Sequence, residues 1–342
     1  MDQQMKISKQ TNFAFGLAYL IILLTAWGVQ RGGGLEWLGV IIIFLIIPFL
    51  EYTFRDWKFE SRPSVNLSSE MWLWASPIVL TLVLVVSGLS YSEAISGTQK
   101  AGIILSTGTI TGAFGITIAH ELVHRKDAWE RALGVWNLML VNFGHWGVEH
   151  VFGHHKSIGT PEDQASATRG QTLYNFWMKD YFGGLVNSFR FEQKRLLGKK
   201  FSFFRNRIIN YFGFSAFMSF LLWILNPQIL IFWWLQSLVA IILLLSVDYI
   251  EHYGLRRQMK ENGIYEPVKV EHSWDSRSFL TNALLFNLGL HSHHHMKARL
   301  KYQELEEQPK ALYMPYGYSV MILMAFIPPL YFRVMDPLIP NS

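Results

Sequence analysis

Apolar stretches close to the length of a bilayer crossing, roughly 17–25 residues, recur along this chain and restrict it to a polytopic membrane fold. They fall at about 11–28 (TNFAFGLAYLIILLTAWG), 35–53, 71–89, 101–119, 208–225 and 229–247. The second has the weakest signal, because Glu36 and Glu51 bracket a short core. The first is not read as a cleaved leader: no small-residue cleavage site follows it, only further spans. A seventh stretch, 311–330, is interrupted by Pro315, Pro328 and Pro329 and reads as an interfacial or re-entrant segment. Charged residues make up only 16% of the chain, against about 25% in soluble domains. The expected fold is therefore all-α: one integral-membrane helical bundle of about six transmembrane helices, forming a single domain over 1–342.

The basic residues orient this bundle. With the N-terminus cytoplasmic, the segments 1–10, 54–70, 120–207 and 248–342 lie inside and hold 28 of the 30 Lys and Arg, leaving only Arg31 and Lys100 outside. That asymmetry follows the positive-inside rule. The formal charge of +5 then reflects topology and contact with anionic lipid. No Gly-rich phosphate loop or basic repeat argues for nucleic acid. Spans five and six form a hairpin through Asn226, Pro227 and Gln228, so the two long inside segments meet on one face. The absence of cysteine rules out disulfides, thiolate ligands and a Cys nucleophile. Any metal must be held by His, Asp or Glu.

All twelve histidines lie in those two segments. His120 and His124 are spaced i, i+4 in HELVH. His150, His154 and His155 form H-x3-H-H, His252 stands in EHYGL, and His291, His294 and His295 belong to HSHHH. Residues i and i+4 share a helix face, so each cluster could aim two or three imidazoles at one spot. HELVH alone has the form of a zinc-protease helix, with the glutamate as base on a metal-bound water. One catalytic zinc needs three protein ligands, however, which would leave most of the clustered histidines without a role. Nine imidazoles suit two ions of four to five nitrogen ligands each, and imidazole serves iron as well as zinc. Isolated histidines such as His145 and His272 read as ordinary core or surface residues. A transporter would place its ligands near the bilayer midplane, whereas these lie beyond the span ends.

HELVHRK, EHVFGHH with TPEDQASATRG, DYIEHYGLRRQ, and HSWDS through NLGLHSHHH resemble the membrane-bound alkane monooxygenases. These belong to the histidine-rich di-iron superfamily of fatty-acid desaturases and hydroxylases. The resemblance runs from about residue 10 to 338. It implies that His120, His124, His150, His154, His155, His252, His291, His294 and His295 hold two Fe ions at the cytoplasmic face of a bacterial inner membrane. It further implies O2-dependent hydroxylation of the terminal carbon of n-alkanes, with electrons from a rubredoxin or ferredoxin and its NAD(P)H reductase. A desaturase or lipid hydroxylase of the same superfamily, acting on acyl chains, is the alternative. Gly289, Leu290 and His293 stand where the family's third box usually has Gln, Arg and Asp; Asp248 replaces an Asn and Gln164 a Pro. His293 is not expected to be a ligand.

Neutral ligands leave a bound metal's charge uncompensated, and charge near lipid is costly. One or more of Glu121, Glu149 and Glu251, each beside a ligand candidate, are expected to accept the other ring N–H of ligand histidines. An alkane offers nothing to hydrogen-bond, so its site should be a narrow apolar channel between spans. Arg195, Lys199, Lys200, Arg205 and Arg207 are candidates for docking an acidic electron donor or for contacting the membrane surface.

Overall fold

The computed structural model describes residues 15–55 and 67–340. The long helices are α1 (Gly16–Arg31), α2 (Leu35–Thr53), α3 (Leu67–Glu93), α4 (Gly97–Val123), α5 (Ala128–Leu140), α6 (144–157), α7 (Leu173–Leu196), α8 (Arg207–Leu225) and α9 (Pro227–His252). Four short helices follow: α10 (Phe279–Leu284), α11 (His291–Met296), α12 (Tyr318–Ala325) and α13 (Pro328–Met335). The only strands among the described residues, β1 (Trp274–Asp275) and β2 (Leu312–Tyr313), pair in parallel.

Five helices, α2, α3, α4, α8 and α9, are long and apolar enough to cross a membrane. The first expected span is represented by α1, apolar but of 16 residues; residues 11–14 of that stretch lie outside the described residues. The stretch 311–330 forms β2 and two eight-residue helices. Each helix is about 12 Å long at 1.5 Å per residue, too short to cross.

The bundle is organised around α4: 78% of its apolar window is buried, against 11% for the peripheral α8. Small residues make that centre possible. Gly108 and Gly112 lie one turn apart on the face of α4 that meets α9. A Cβ on Gly108 would meet Gln236 O at 2.7 Å, and one on Gly112 would lie 3.0 Å from Ala240 Cα. The backbones thus approach as closely as small-xxx-small pairs allow. Thr111 adds a polar tie by donating to Gln236 Oε1 at 2.9 Å. At the far end, Asn226 closes the α8–α9 hairpin alone: its N–H donates to Leu222 O at 2.8 Å and its side chain caps α9 by accepting from Gln228 N at 2.9 Å. Pro227 follows at the first helical position, where no N–H is needed.

Three helices carry π turns, wider than α-helix and frequent at functional sites: Ile42–Ile46 in α2, Thr111–Ile116 in α4 and His150–His154 in α6. The first two border the same apolar slot, lined by Ile43, Phe44, Phe114, Leu243, Val247 and Leu285. The slot leaves about 60 Å³ of free space and ends at His120 and Glu251. We expect Gly108→Val to lower the melting temperature in detergent, as overpacking by about 1–3 kcal/mol would. Gly213→Val, at a helical glycine with nothing within 4 Å, should melt close to wild type.

Candidate metal centre

α4 and α9 run past their apolar windows to put His120 in the last turn of one and His252 at the end of the other. α6 and α11 bring the remaining clusters against these ends. The nine imidazoles converge in two adjoining groups: His120, His124, His150, His155 and His294 in the first, and His154, His252, His291 and His295 in the second. Within each group the candidate ligand atoms all lie within 4.8 Å of one another. Rings of the two groups nearly touch, His155 and His295 having centroids 4.5 Å apart.

The split runs through the sequence clusters. Adjacent helical residues point about 100° apart at 3.6 residues per turn, so the pairs His154–His155 and His294–His295 each send one ring to either group. A pure α-helix would also turn His155 roughly 140° away from His150. The π turn at His150–His154 brings it back, and the two Nε2 atoms stand 3.1 Å apart. Each of the three multi-histidine clusters thus aims two imidazoles at one group, while the third ring of His150/His154/His155 and of His291/His294/His295 joins the other group.

The geometry fits metal ions. Neighbouring Nε2 atoms are 2.9 Å apart for His291–His295, 3.1 Å for His252–His291, 3.2 Å for His155–His294 and 3.3 Å for His154–His295. A metal with bonds of about 2.1 Å to imidazole nitrogen spaces adjacent ligands by about 3.0–3.4 Å. The Nε2 atoms of His120 and His124 are buried without a hydrogen-bond partner. Burial also favours the neutral form that a ligand needs in most of the rings; at His154 burial is outweighed by the Asp163 carboxylate, which pushes that ring up to about 10. Burial pushes His124 down to about 3, and His150, His155, His291, His294 and His295 well below their usual range, with neighbouring histidines adding to the effect. Five imidazoles in one group exceed the closed tetrahedral set of a structural zinc.

The three proposed glutamates do not take the expected positions. Glu121 turns to Arg125, 2.9 Å from its Nη2, and accepts the Tyr302 N–H. It is thus neither an outer partner of a histidine nor a base beside a metal, which removes the protease reading of HELVH. Glu149 lies against Gly153 and Gly184; burial, and then the charge of Asp163, pushes it up to about 8. Glu251 does reach a histidine, but at Nε2 of His291 (3.2 Å), the side facing the second group, and it accepts the Tyr318 hydroxyl at 2.5 Å. The outer-carboxylate role falls instead to Asp163 of the TPED stretch, whose carboxylate receives Nδ1 of His154 at 3.0 Å. Burial opposes the charge of Asp163, yet His154 and the Ser166 hydroxyl outweigh it and hold the group at about 2.

A second unexpected residue sets the third histidine box. Asp275, in HSWDS on β1, accepts the Ser292 N–H at 2.7 Å and its hydroxyl at 2.8 Å, supplying from outside the cap that α11 lacks. Gly289 is equally constrained, since a Cβ there would meet Asn282 Oδ1 at 2.7 Å. The three remaining histidines have other surroundings. His293 Nδ1 accepts the Glu306 N–H, His272 meets Glu266 and Lys269, and His145 packs edge-to-face against Phe143 and Tyr181.

Of the five candidate docking cations, Arg195 and Arg207 are bound to the buried carboxylate of Glu192 at 2.7 Å and 2.6 Å. The turn carrying the other three also exposes Leu197, Phe201, Phe203 and Phe204 at the head of the lipid-facing α8. Aromatic and basic side chains together at a span end mark membrane contact.

The sequence profile of the Fatty acid desaturase family matches residues 99–319, which include all nine histidines. Over 97% of its length the chain is 36% identical to alkane 1-monooxygenase 2 of Pseudomonas aeruginosa, covering 92% of that protein. It is 35% identical to alkane 1-monooxygenase 2 of Alcanivorax borkumensis over 98% of the chain and 92% of that protein. A xylene/toluene monooxygenase hydroxylase component of Pseudomonas putida is 25% identical over 93% of the chain. The chain belongs to the membrane-bound alkane 1-monooxygenase branch of the fatty acid desaturase family. It is an integral-membrane, metal-binding oxidoreductase of the monooxygenase type.

Asp163→Asn should weaken metal binding about 10–100-fold, as loss of an outer carboxylate does, measured by chelator competition on the purified protein. His293→Ala should leave metal content unchanged.

Proposed function

We propose that the chain hydroxylates the terminal carbon of medium- to long-chain n-alkanes, using O2 and two iron ions. His120, His124, His150, His155 and His294 hold one ion; His154, His252, His291 and His295 hold the other. The observation that carries the reading is the apolar slot between α2, α4 and α9, which ends at His120 and Glu251. Its walls are mainly apolar, and an alkane needs only shape and dryness. Iron at the two sites supplies the redox chemistry with O2 that side chains cannot.

The protein's own residues do the rest. Ile43, Phe44 and Phe114 on the two π turns, with Leu243 and Val247 on α9, exclude water and hold the chain straight, so that its end reaches the histidines. Asp163 fixes the tautomer and orientation of His154. Tyr318 donates to Glu251 and fixes that carboxylate where slot and histidines meet.

The electrons come from a rubredoxin or ferredoxin served by an NAD(P)H reductase, since the cysteine-free chain has no iron–sulfur ligands. The histidine-bearing end of the bundle faces the cytoplasm of a bacterial inner membrane, in line with the distribution of Lys and Arg. The test is metal analysis joined to turnover. Purified protein should carry about two irons per chain at nine nitrogen ligands, consistent with the four to five nitrogens an ion of this kind accepts. With rubredoxin, reductase, NADH and O2 it should convert n-alkanes to 1-alkanols. Modified membrane acyl chains without any alcohol would assign it to the desaturases instead. His291→Ala should lower iron content without dispersing the fold, read by size-exclusion chromatography.

A further inference from the structure

A second cavity, of about 670 Å³, lies beside the slot at the histidine-bearing end of the bundle. It is bounded by the end of α2 (Pro48–Arg55), the segment 276–280 and the turn 314–320. Its character differs from that of the slot. Pro48, Leu50, Leu280 and Val320 give it apolar walls, while Glu51, Ser276, Ser278, Arg55 and Arg277 add polar groups. The guanidinium of Arg277 stacks on Tyr313 at 3.7 Å, and that of Arg55 lies 5.6 Å from the Tyr52 ring. Tyr52 and Tyr316 on its rim are 70% and 51% exposed, as aromatic residues at a membrane–water interface are.

Glu51 forms the partition between the two cavities. Its Oε1 accepts from Ser278, which lines the outer cavity, and from Thr281, which lines the slot, the latter at 2.7 Å. Its Oε2 is buried without a partner and occupies the place a Cβ on residue 317 would take, so Gly317 is required for the carboxylate to lie there. Tyr318, next along, carries the hydroxyl bound to Glu251 at the metal end. A short line of oxygen atoms, Thr281 Oγ1 and the Glu51 carboxylate, thus leads from the slot into a cavity with polar groups of its own. An alkane has no use for such a line. A primary alcohol does: its hydroxyl can donate to a buried acceptor while its alkyl chain stays against apolar walls.

We propose that this outer cavity is the binding site and exit port for the long-chain primary alcohol, whose hydroxyl donates to the Glu51 carboxyl group on its way to the membrane surface. The inference rests on the hydroxylase reading above, and its test does not need turnover. A long-chain 1-alkanol with a diazirine beside its hydroxyl is photolysed with the iron-loaded protein in detergent, and labelled peptides are mapped by mass spectrometry. Label is expected at 276–280 or 314–320, displaced by 1-dodecanol but not by dodecane. In Glu51→Leu that label should fall about tenfold, the effect of losing one hydrogen bond to a charged acceptor. Val320→Trp, which narrows the cavity and leaves residue 51 unchanged, should lower it as well and covers the case in which Glu51→Leu fails to fold. Label confined to the slot overturns the proposal, as does cavity label unchanged in both variants or displaced by anionic phospholipid alone. A protein that makes 1-alkanols but leaves the cavity unlabelled refutes this inference only. A protein that makes no alcohol from any alkane refutes the hydroxylase reading instead.

Discussion

Nine imidazole nitrogens brought within bonding distance of two centres form the constraint on which the rest of this structure depends. Seven of the nine rings are buried and the other two, His124 and His155, partly so, and several aim a nitrogen at a position where no protein group meets it. Burying unpaired polar atoms costs free energy, so the arrangement is stable only with an ion to bind or with a scaffold stiff enough to hold it open. The scaffold has that stiffness. Four chain segments contribute ligand candidates, and each is anchored by a group outside the site: α6 by Asp163 on His154, α11 by Asp275, and α4 and α9 by their glycine contact with each other. Because the His154–His155 and His294–His295 pairs each serve both groups, neither centre can move without the other.

The membrane supplies the second constraint. Helices in lipid gain little from hydrophobic association, so close backbone packing and a few polar ties must fix their positions. Gly108, Gly112 and Thr111 do this at the centre of the bundle. From Thr111 onward α4 widens into its π turn, and the apolar slot is bordered by this turn and the π turn of α2. Tight packing on one side of α4 and looser winding on the other thus give a rigid helix with a narrow cavity beside it.

Much of this was legible in the sequence, and the limits have physical causes. Length and hydropathy located the crossings because lipid thickness acts directly on composition. The histidines stood out because nine in four clusters at span ends have few other uses. Which ring joins which centre was not legible. That depends on a π turn at 150–154, and an insertion of one residue's worth of winding leaves no mark on hydrophobic periodicity. The outer carboxylates were misassigned for a related reason. Adjacency in sequence, as for Glu121 and Glu149, sends side chains to different faces of a helix. Asp163 reaches His154 from nine residues away through a turn, and Asp275 reaches α11 from a two-residue strand. Both stood in stretches noted for their resemblance, TPED and HSWDS, but their roles exist only in three dimensions.

Glu251 shows how one such side chain can join the two halves of the site. It accepts from Tyr318, lies against Nε2 of His291 and forms part of the wall where the slot ends. A carboxylate there brings negative charge to a centre whose ligands carry none, at the boundary between hydrocarbon and metal. Thr281 on the slot side is bound to Glu51, which also lines the more polar outer cavity. A substrate without polar atoms and a product with one would occupy different sides of that carboxylate. The direction of traffic then follows from the chemistry of the molecule rather than from any moving part.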